Sequence, residues 1–452
     1  MKEIYYYMIC KAQEFMNENH YADISRMQCL LRKMMPKEYH DLIDQIKECQ
    51  DPHVDFNIHG GNNLIAPNAS HAEQKMQEDE STKNETTKIN SNLNRRSTDL
   101  QVKRFSDIDL KDLFFDSSRE SYPKFDDWYK KKAAAGATAY CYYIDDELKD
   151  FLYLKIEEEE LSDIVPVLPA KKRLKIGTFK VDNDNRHTTR GERFMKKIMD
   201  MAIAEDVEEI YVTLFPTDEL QGLIRMFEKF GFSHVADKPH DGGNVEYVLV
   251  KDMTSHANDF KLDYPFVKKA GTNKYVLSIV PEYHTQLFPD SILTNEQKYD
   301  LIQDVSETNS IYKIYICWMQ GARKLKPGDK LVIYRITDDK GKAYYRSVCT
   351  SVCTVCEVKA SEDFENEDAF VKYTNRYSVF KEYELRRWYK YKNNFIVIKM
   401  MYNIAFNKKV INKVMKEQVG LNPKYWGFFK LTDAQFDKLL ELGEIDERYI
   451  ID

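Results

Sequence analysis

The chain lacks an apolar run long enough to span a bilayer and lacks a signal-peptide pattern, so neither membrane insertion nor secretion is expected. It lacks a disulfide framework: eight cysteines are scattered through 452 residues, not spaced as in a small secreted domain. It lacks overall positive charge, standing at −7, so a global nucleic-acid footprint is not expected, although a local basic face is compatible with that total. It also lacks a metal-ligand set. Cys349, Cys353 and Cys356 have no second ligand pair at a supporting distance, and His53 and His59 have no carboxylate or cysteine cluster beside them. No metal is expected. What remains is a reduced, cytoplasmic protein, too long for one ordinary core and expected to form two to three domains.

The stretch 173–232 carries the strongest pattern. Leu174, Ile176, Thr178 and Lys180 alternate with Gly177, Phe179 and Val181, which reads as a strand. A polar turn follows, and then Phe194, Ile198, Met201 and Ala202 recur at helical spacing. A second strand over 209–215 and a second helix over 218–230 complete the unit, with Gly231 placed as a C-terminal cap. The turn empties into the first helix, whose leading N–H groups have no intrahelical partner and whose dipole puts partial positive charge there. A diphosphate fits such a place. Gly191 has no Cβ to block approach, Arg186 and Arg190 add bidentate cationic donors, and His187 adds another.

Arg186-His187-Thr188-Thr189-Arg190-Gly191, set between strand and helix, resembles the coenzyme A signature of GNAT-superfamily acetyltransferases, Q/R-x-x-G-x-G/A. Phe227-Glu228-Lys229-Phe230-Gly231-Phe232 is similar to the family's "Y-E-K-x-G-F". Thr189 stands where the first glycine normally is, Phe227 where many members carry a proton-donating tyrosine, and Leu220 where the associated asparagine would be. The resemblance covers about 102–251 and implies acetyl-CoA as co-substrate. It assigns cofactor contacts to Phe179, Lys180 and Val181 on the strand, and to Arg186, His187, Thr188, Thr189, Arg190, Gly191 and Glu192 in the turn and first helical residues. For the proton work Tyr140, Tyr142 and Glu157 are the candidates. Structural packing is the competing reading for both tyrosines, and a solvated acidic loop for Glu157.

Ahead of this unit, 1–52 reads as a small helical module for a protein partner or self-association. Residues 53–103 hold a Gly60-Gly61-Asn62-Asn63 turn and a polar stretch with little to bury, read as a disordered linker. The acetyltransferase-like α/β domain with a mixed sheet is placed at 104–252, a further linker at 253–272, and a last domain at 273–452. There the Lys326-Pro327-Gly328-Asp329 turn, ahead of an apolar strand ending in Tyr334-Arg335, resembles the hallmark of PUA-like barrels of the ASCH and EVE type. That resemblance implies a β-barrel with helices, with strands over 343–358 and 375–380 among others, and an architecture seen in bacteria. The expected class is therefore α+β and multidomain.

PUA-like barrels bind nucleic acids or modified bases. Arg376, Arg386, Arg387 and Lys390, interleaved with Trp388 and tyrosines, supply cations for phosphates and aromatic faces for bases; an amphipathic helix over the barrel end is the equally weighted alternative. Together the two resemblances imply an N-acetyltransferase whose acceptor is RNA-linked, either tRNA or aminoacyl-tRNA. The alternative is a non-catalytic regulator that senses acyl-CoA or binds RNA or modified bases, which Phe227 and Thr189 allow.

Overall fold

The computed structural model describes residues 100–144, 146–182, 189–240, 243–291, 310–338, 341–391 and 394–452. The expected helical module at 1–52, nearly all of the 53–103 segment, and Arg186, His187 and Thr188 lie outside these residues.

The first sheet has seven strands in the order β1-β2-β3-β4-β5-β7-β6. They are β1 (Gln101–Arg104), β2 (Thr138–Ile144), β3 (Glu147–Glu157), β4 (Arg173–Val181), β5 (Glu209–Leu214), β6 (Ser233–Pro239) and β7 (Val245–Asp252). Only β4 and β5 run parallel, which requires a crossover, and the helix α3 (Arg190–Ala204) supplies it. The short α1 (Asp116–Ser121) and α2 (Phe125–Ala134) cover one face, where Phe105, Phe115, Phe125 and Tyr129 pack on Cys141, Phe151 and Tyr153. On the opposite face α3 and α4 (Gln221–Lys229) bury Phe194, Met195, Ile198 and Phe227 against Leu152, Leu174, Ile176 and Leu249. Each large apolar side chain buried there contributes about 2–3 kcal/mol. α4 stops at Gly231, whose φ of +88° is open to glycine and where an added Cβ would lie 2.3 Å from the Leu262 carbonyl oxygen.

Residues 253–272, expected as a linker, are packed structure. Tyr264 and Val267 are fully buried, and Val267–Lys268 forms β8, which pairs with β15 (Ile450–Ile451) at the far end of the chain. The apolar residues of this stretch found a core to enter, which polar spacing alone does not reveal. Likewise β1 begins at Gln101, inside the segment assigned to the first linker.

The second sheet orders β10 (Tyr312–Cys317), β13 (Ile396–Ile411), β12 (Val348–Ala360), β11 (Lys330–Arg335), β9 (Lys274–Ile279) and β14 (Phe428–Leu431). β9 and β11 run parallel and the other pairs antiparallel, so both large sheets are mixed. The expected barrel is not found: among the described strands β10 and β14 are edges with no ladder between them, so the sheet does not close. β12 and β13 bend instead through irregularities in their register. The strand expected over 343–358 begins later, because Ala343–Arg346 is a helical turn, α6, following α5 (Pro281–Leu287). Residues 375–380 form no strand. They follow α7 (Glu367–Thr374) and lead to α8 (Glu382–Tyr391), their backbone held by turn hydrogen bonds such as Ser378 N–H to Thr374. α9 (Asn412–Glu417) and α10 (Asp433–Leu442) complete the chain, the latter starting in a capping box of Thr432 and Gln435. Cys349 and Cys353 are buried on β12 and Cys356 is half-buried. Among the described residues no helix is long and apolar enough to cross a membrane.

The two sheets share a seam along α3. Glu192, Lys196 and Asp200 recur every fourth residue and so form one stripe. Glu192 Oε1 accepts from the Tyr377 hydroxyl at 2.7 Å. Lys196 Nζ lies 3.0 Å from Asp200 and 2.9 Å from Asp290, and Tyr449 donates to Asp200 at 3.4 Å. Burial opposes the Lys196 charge, but Asp200 and Asp290 outweigh it and hold the ammonium well above its ordinary range.

Candidate active site

β4 and β5 pair only from Arg173–Glu209 to Ile176–Val212. Beyond that point β4 stays with β3, from Thr178 opposite Tyr153 to Val181 opposite Asp150, while β5 stays with β7. The sheet therefore opens at its centre. Because strand N–H and C=O groups alternate in direction, part of the 177–181 backbone faces the opening with no strand to bond. Gly177 borders the opening, and a Cβ there would come within 2.6 Å of Tyr153 Cδ1. The N-terminus of α3 lies at the same end of β4, since Arg190 reaches Asp150, the partner of Val181.

The residues assigned to the cofactor fall into distinct places. Phe179 turns its ring into the core, 5.4 Å from Phe194 and 5.6 Å from Phe227, leaving its backbone to line the opening. Lys180 donates to Ser117 at 2.6 Å across the opposite face. Thr189 is buried and precedes α3 without a side-chain cap. Gly191 lets α4 approach: an added Cβ would sit 3.2 Å from Met226 Sδ. Arg190 is turned inward, 3.6 Å from Asp150 and with its guanidinium 4.4 Å from the Tyr142 ring centroid. Glu192 is committed to Tyr377, as above. Burial pushes the Asp150 carboxyl up to about 6, against the opposing pull of Arg190 and Arg193.

The proton candidates named from sequence are not gathered at the opening. Tyr140 lies under Lys197 of α3 at 5.2 Å, and Tyr142 under Arg190 and Arg193. Glu157 is bonded by the Tyr211 hydroxyl and by Lys155 at 2.9 Å. Burial opposes its charge, but these donors hold the carboxyl below its ordinary range. It lines a groove of about 380 Å³ on the α1–α2 face, with Lys175, Tyr211, Thr213 and Lys238.

A cluster that sequence reasoning missed stands beside that groove, where β5 ends. Glu246, at the start of β7 and 3% exposed, accepts from the Tyr122 hydroxyl at 2.6 Å and bonds His240 Nε2 at 2.9 Å. Phe215 packs between, 5.5 Å from the Tyr122 ring and 5.4 Å from His240. Burial, and then Glu246, push the Tyr122 phenol above its ordinary range. With Nε2–H donated to Glu246, Nδ1 of His240 carries the lone pair, and the ring is one-third exposed. A buried carboxylate that fixes the tautomer of a reachable imidazole is an arrangement suited to general-base work. The available signal was weak: a histidine before an Asp-Gly-Gly turn, and a lone glutamate entering an apolar strand.

Phe227 is fully buried between Phe179 and Phe232, so the position implied for a proton-donating tyrosine is core. Of the residues assigned to nucleic acid, Arg386, Arg387, Trp388 and Lys390 share the helix α8 and Arg376 precedes it. Trp388 is buried against Phe380 and Trp318, which leaves no ring face for a base and corrects its assignment. Arg386 is held by Glu367, Asp368 and Glu382. Arg376 and Lys390 are exposed and Arg387 half-buried.

No family model and no curated protein matches the chain. Among solved structures, a GNAT-family protein from Desulfovibrio desulfuricans is similar at 13% identity, covering 34% of this chain and 99% of its own, with a TM-score of 0.26. ZmASCH from Zymomonas mobilis is similar at 10% identity over 37% of this chain and 95% of its own, TM-score 0.25. A GNAT-family acetyltransferase from Elizabethkingia anophelis, solved with acetyl-CoA bound, is similar at 11% identity over 35% of this chain and 99% of its own, TM-score 0.24. Scores of this size carry no argument about this chain.

Proposed function

We propose that the chain transfers an acetyl group from acetyl-CoA to an amine. The observation that carries this reading is the parting of β4 from β5 after Ile176 and Val212, beside the N-terminus of α3. An opening through the middle of a sheet, where β5 no longer pairs with β4, suits an extended amide-bearing arm, and a helix N-terminus suits the diphosphate that follows it. The amine attacks the thioester carbonyl of acetyl-CoA; as the C–N bond forms the C–S bond breaks, and the departing coenzyme A thiolate takes a proton from water. The chain's own residues do the rest. Backbone N–H groups of Phe179 and Val181, which alternate with those directed at β3, hold the arm and the carbonyl oxygen, and Lys180 lies between them. His240 takes the amine proton at Nδ1, while Glu246 and Tyr122 keep the ring in its productive tautomer. Arg190 and Gly191, with Arg186, His187, Thr188, Thr189 and the backbone N–H of Glu192, make up the diphosphate end of the proposal.

The acceptor is proposed to be RNA-linked, tRNA or aminoacyl-tRNA, with exposed Lys390 and half-buried Arg387 supporting a charged approach over the second sheet. The test is release of free thiol from acetyl-CoA in the presence of peptide amines, polyamines, tRNA and aminoacyl-tRNA in turn. Turnover with any one supports acetyl transfer, and turnover with the RNA-linked acceptors alone supports the finer reading. No heat on titration with millimolar acetyl-CoA overturns both. A second reading, acyl-CoA binding without turnover, is favoured by the buried Phe227, which offers no hydroxyl beneath the opening. Binding with no acceptor consumed would decide for it.

A further inference from the structure

Where α3 begins, the seam between the sheets gathers cations over tyrosine rings. Lys229, at the end of α4, lies 4.2 Å from the Tyr312 ring centroid. Lys399 on β13 lies 5.2 Å from the rings of both Tyr312 and Tyr377. Arg376 lies 5.3 Å from the Tyr377 ring, and the two rings are 5.6 Å apart. Glu192 faces this group, its Oε1 bonded to Tyr377 at 2.7 Å. Burial lowers the Lys229 ammonium, and Lys399 and Arg376 lower it further against the pull of Glu192, so the place is short of negative charge. It is also short of hydrogen bonds. The Tyr312 hydroxyl and Glu192 Oε2 are both buried with no hydrogen-bond partner. A donor and an acceptor, wrapped in cations and aromatic rings, await a ligand.

The position follows from the helices. Glu192 is in the first turn of α3, about 3 Å along the axis from its N-terminus. Met226, which meets Gly191, precedes Lys229 by one turn of α4. A diphosphate at the N-terminus of α3 therefore has this cluster as its next neighbour on the α4 side. In coenzyme A the group beyond the diphosphate is adenosine with a 3′-phosphate. Adenine presents an amino donor beside a ring-nitrogen acceptor, and the 3′-phosphate is an anion without a helix to receive it.

We propose that the second half of the chain completes the cofactor site: Arg376, Lys399 and Lys229 hold the 3′-phosphate, and Tyr312, Tyr377 and Glu192 hold the adenine of coenzyme A. This rests on the acetyl-CoA reading, since it takes the same molecule into the same opening. Glu192 and Lys229 come from the helices packed on the first sheet and the rest from the second half of the chain, so a pantetheine arm bound in the first sheet has its nucleotide gripped at the seam.

The test compares acetyl-CoA, acetyl-dephospho-CoA and S-acetylpantetheine as donors, with calorimetry on CoA and dephospho-CoA alongside. The intact protein should favour the 3′-phosphorylated form about tenfold or more, the worth of a charge-assisted contact. Arg376→Ala and Lys399→Ala, singly and together, should raise the KM for acetyl-CoA by about tenfold each, with the loss confined to the donor that carries the 3′-phosphate. Tyr377→Phe keeps the ring and serves where a truncation disturbs folding; it should weaken CoA and dephospho-CoA alike. Equal affinity of the intact protein for CoA and dephospho-CoA, or equal losses on acetyl-CoA and S-acetylpantetheine, overturns the proposal. If CoA binds with the 3′-phosphate preference but no amine is acetylated, the catalytic reading fails and this one stands. If neither CoA form binds, both fail.

Discussion

The two large sheets treat their hydrogen bonds differently. In the second, β12 and β13 stay paired from Val348 opposite Ile411 to Ala360 opposite Ile396, and their bulges bend the ladder without opening it. In the first, β4 and β5 abandon each other halfway. A sheet gives up main-chain bonds at its centre only where something else can take them. The histidines follow suit. His284 is fully buried beside the second sheet, its Nε2 against Thr350 at 2.8 Å. His240 is one-third exposed at the open end of the first, tied to a buried carboxylate. One residue type thus serves packing in the closed region and is proposed as the proton acceptor in the open one.

The largest test of that contrast is His240→Ala. It should lower kcat by about 10²–10⁴-fold, the usual worth of a general base, with the unfolding midpoint little changed and partial rescue by added imidazole. An unaltered kcat would remove His240 from the chemistry. Next in size is Lys196→Ala, which strands Asp200 and Asp290 at the seam. Asp200 and Asp290 keep a third or more of their side chains in water, so loss of Lys196 should cost about 1 kcal/mol in urea unfolding, and Lys196→Met, which keeps the packing, less. Distinctive in kind is the pH dependence contributed by His284. Burial lowers its imidazole from 6.5 to about 3, so the unfolded chain takes up a proton that the folded chain refuses. Stability from this group is full above about pH 6.5 and falls as pH drops towards 3, with a slope of about 1.4 kcal/mol per pH unit that His284→Gln should abolish. The smallest effect is expected from Arg386→Ala. Its ion pairs with Glu367, Asp368 and Glu382 are exposed, and the melting midpoint should not move measurably. A clear drop in tRNA affinity in the same variant would restore Arg386 to a nucleic-acid face.

Much of the first sheet was legible because its signals are local. The alternation over 174–181 marks β4, the apolar stripe after Gly191 marks α3, and the glycine at 231 ends α4. The polar relays were not legible. Tyr122 meets Glu246 across 124 positions and Tyr377 meets Glu192 across 185, and no periodicity encodes such a meeting. The same blindness made Trp388 a base-stacking candidate. Its helical spacing fits an outward face and an inward one equally until Phe380 and Trp318 are in place. It also made 253–272 a linker, since a polar count cannot show that Tyr264 has a core waiting.

The stripe on α3 has a practical corollary. Cutting the chain after residue 252, at the boundary its sequence suggests, would leave Lys196 without Asp290 and Glu192 without Tyr377. It would also uncover Phe230, which packs on Tyr264 and Tyr312. Such a fragment would carry a greasy, charge-mismatched flank into solvent and should aggregate, so whatever this protein does to its substrate it does with both sheets attached.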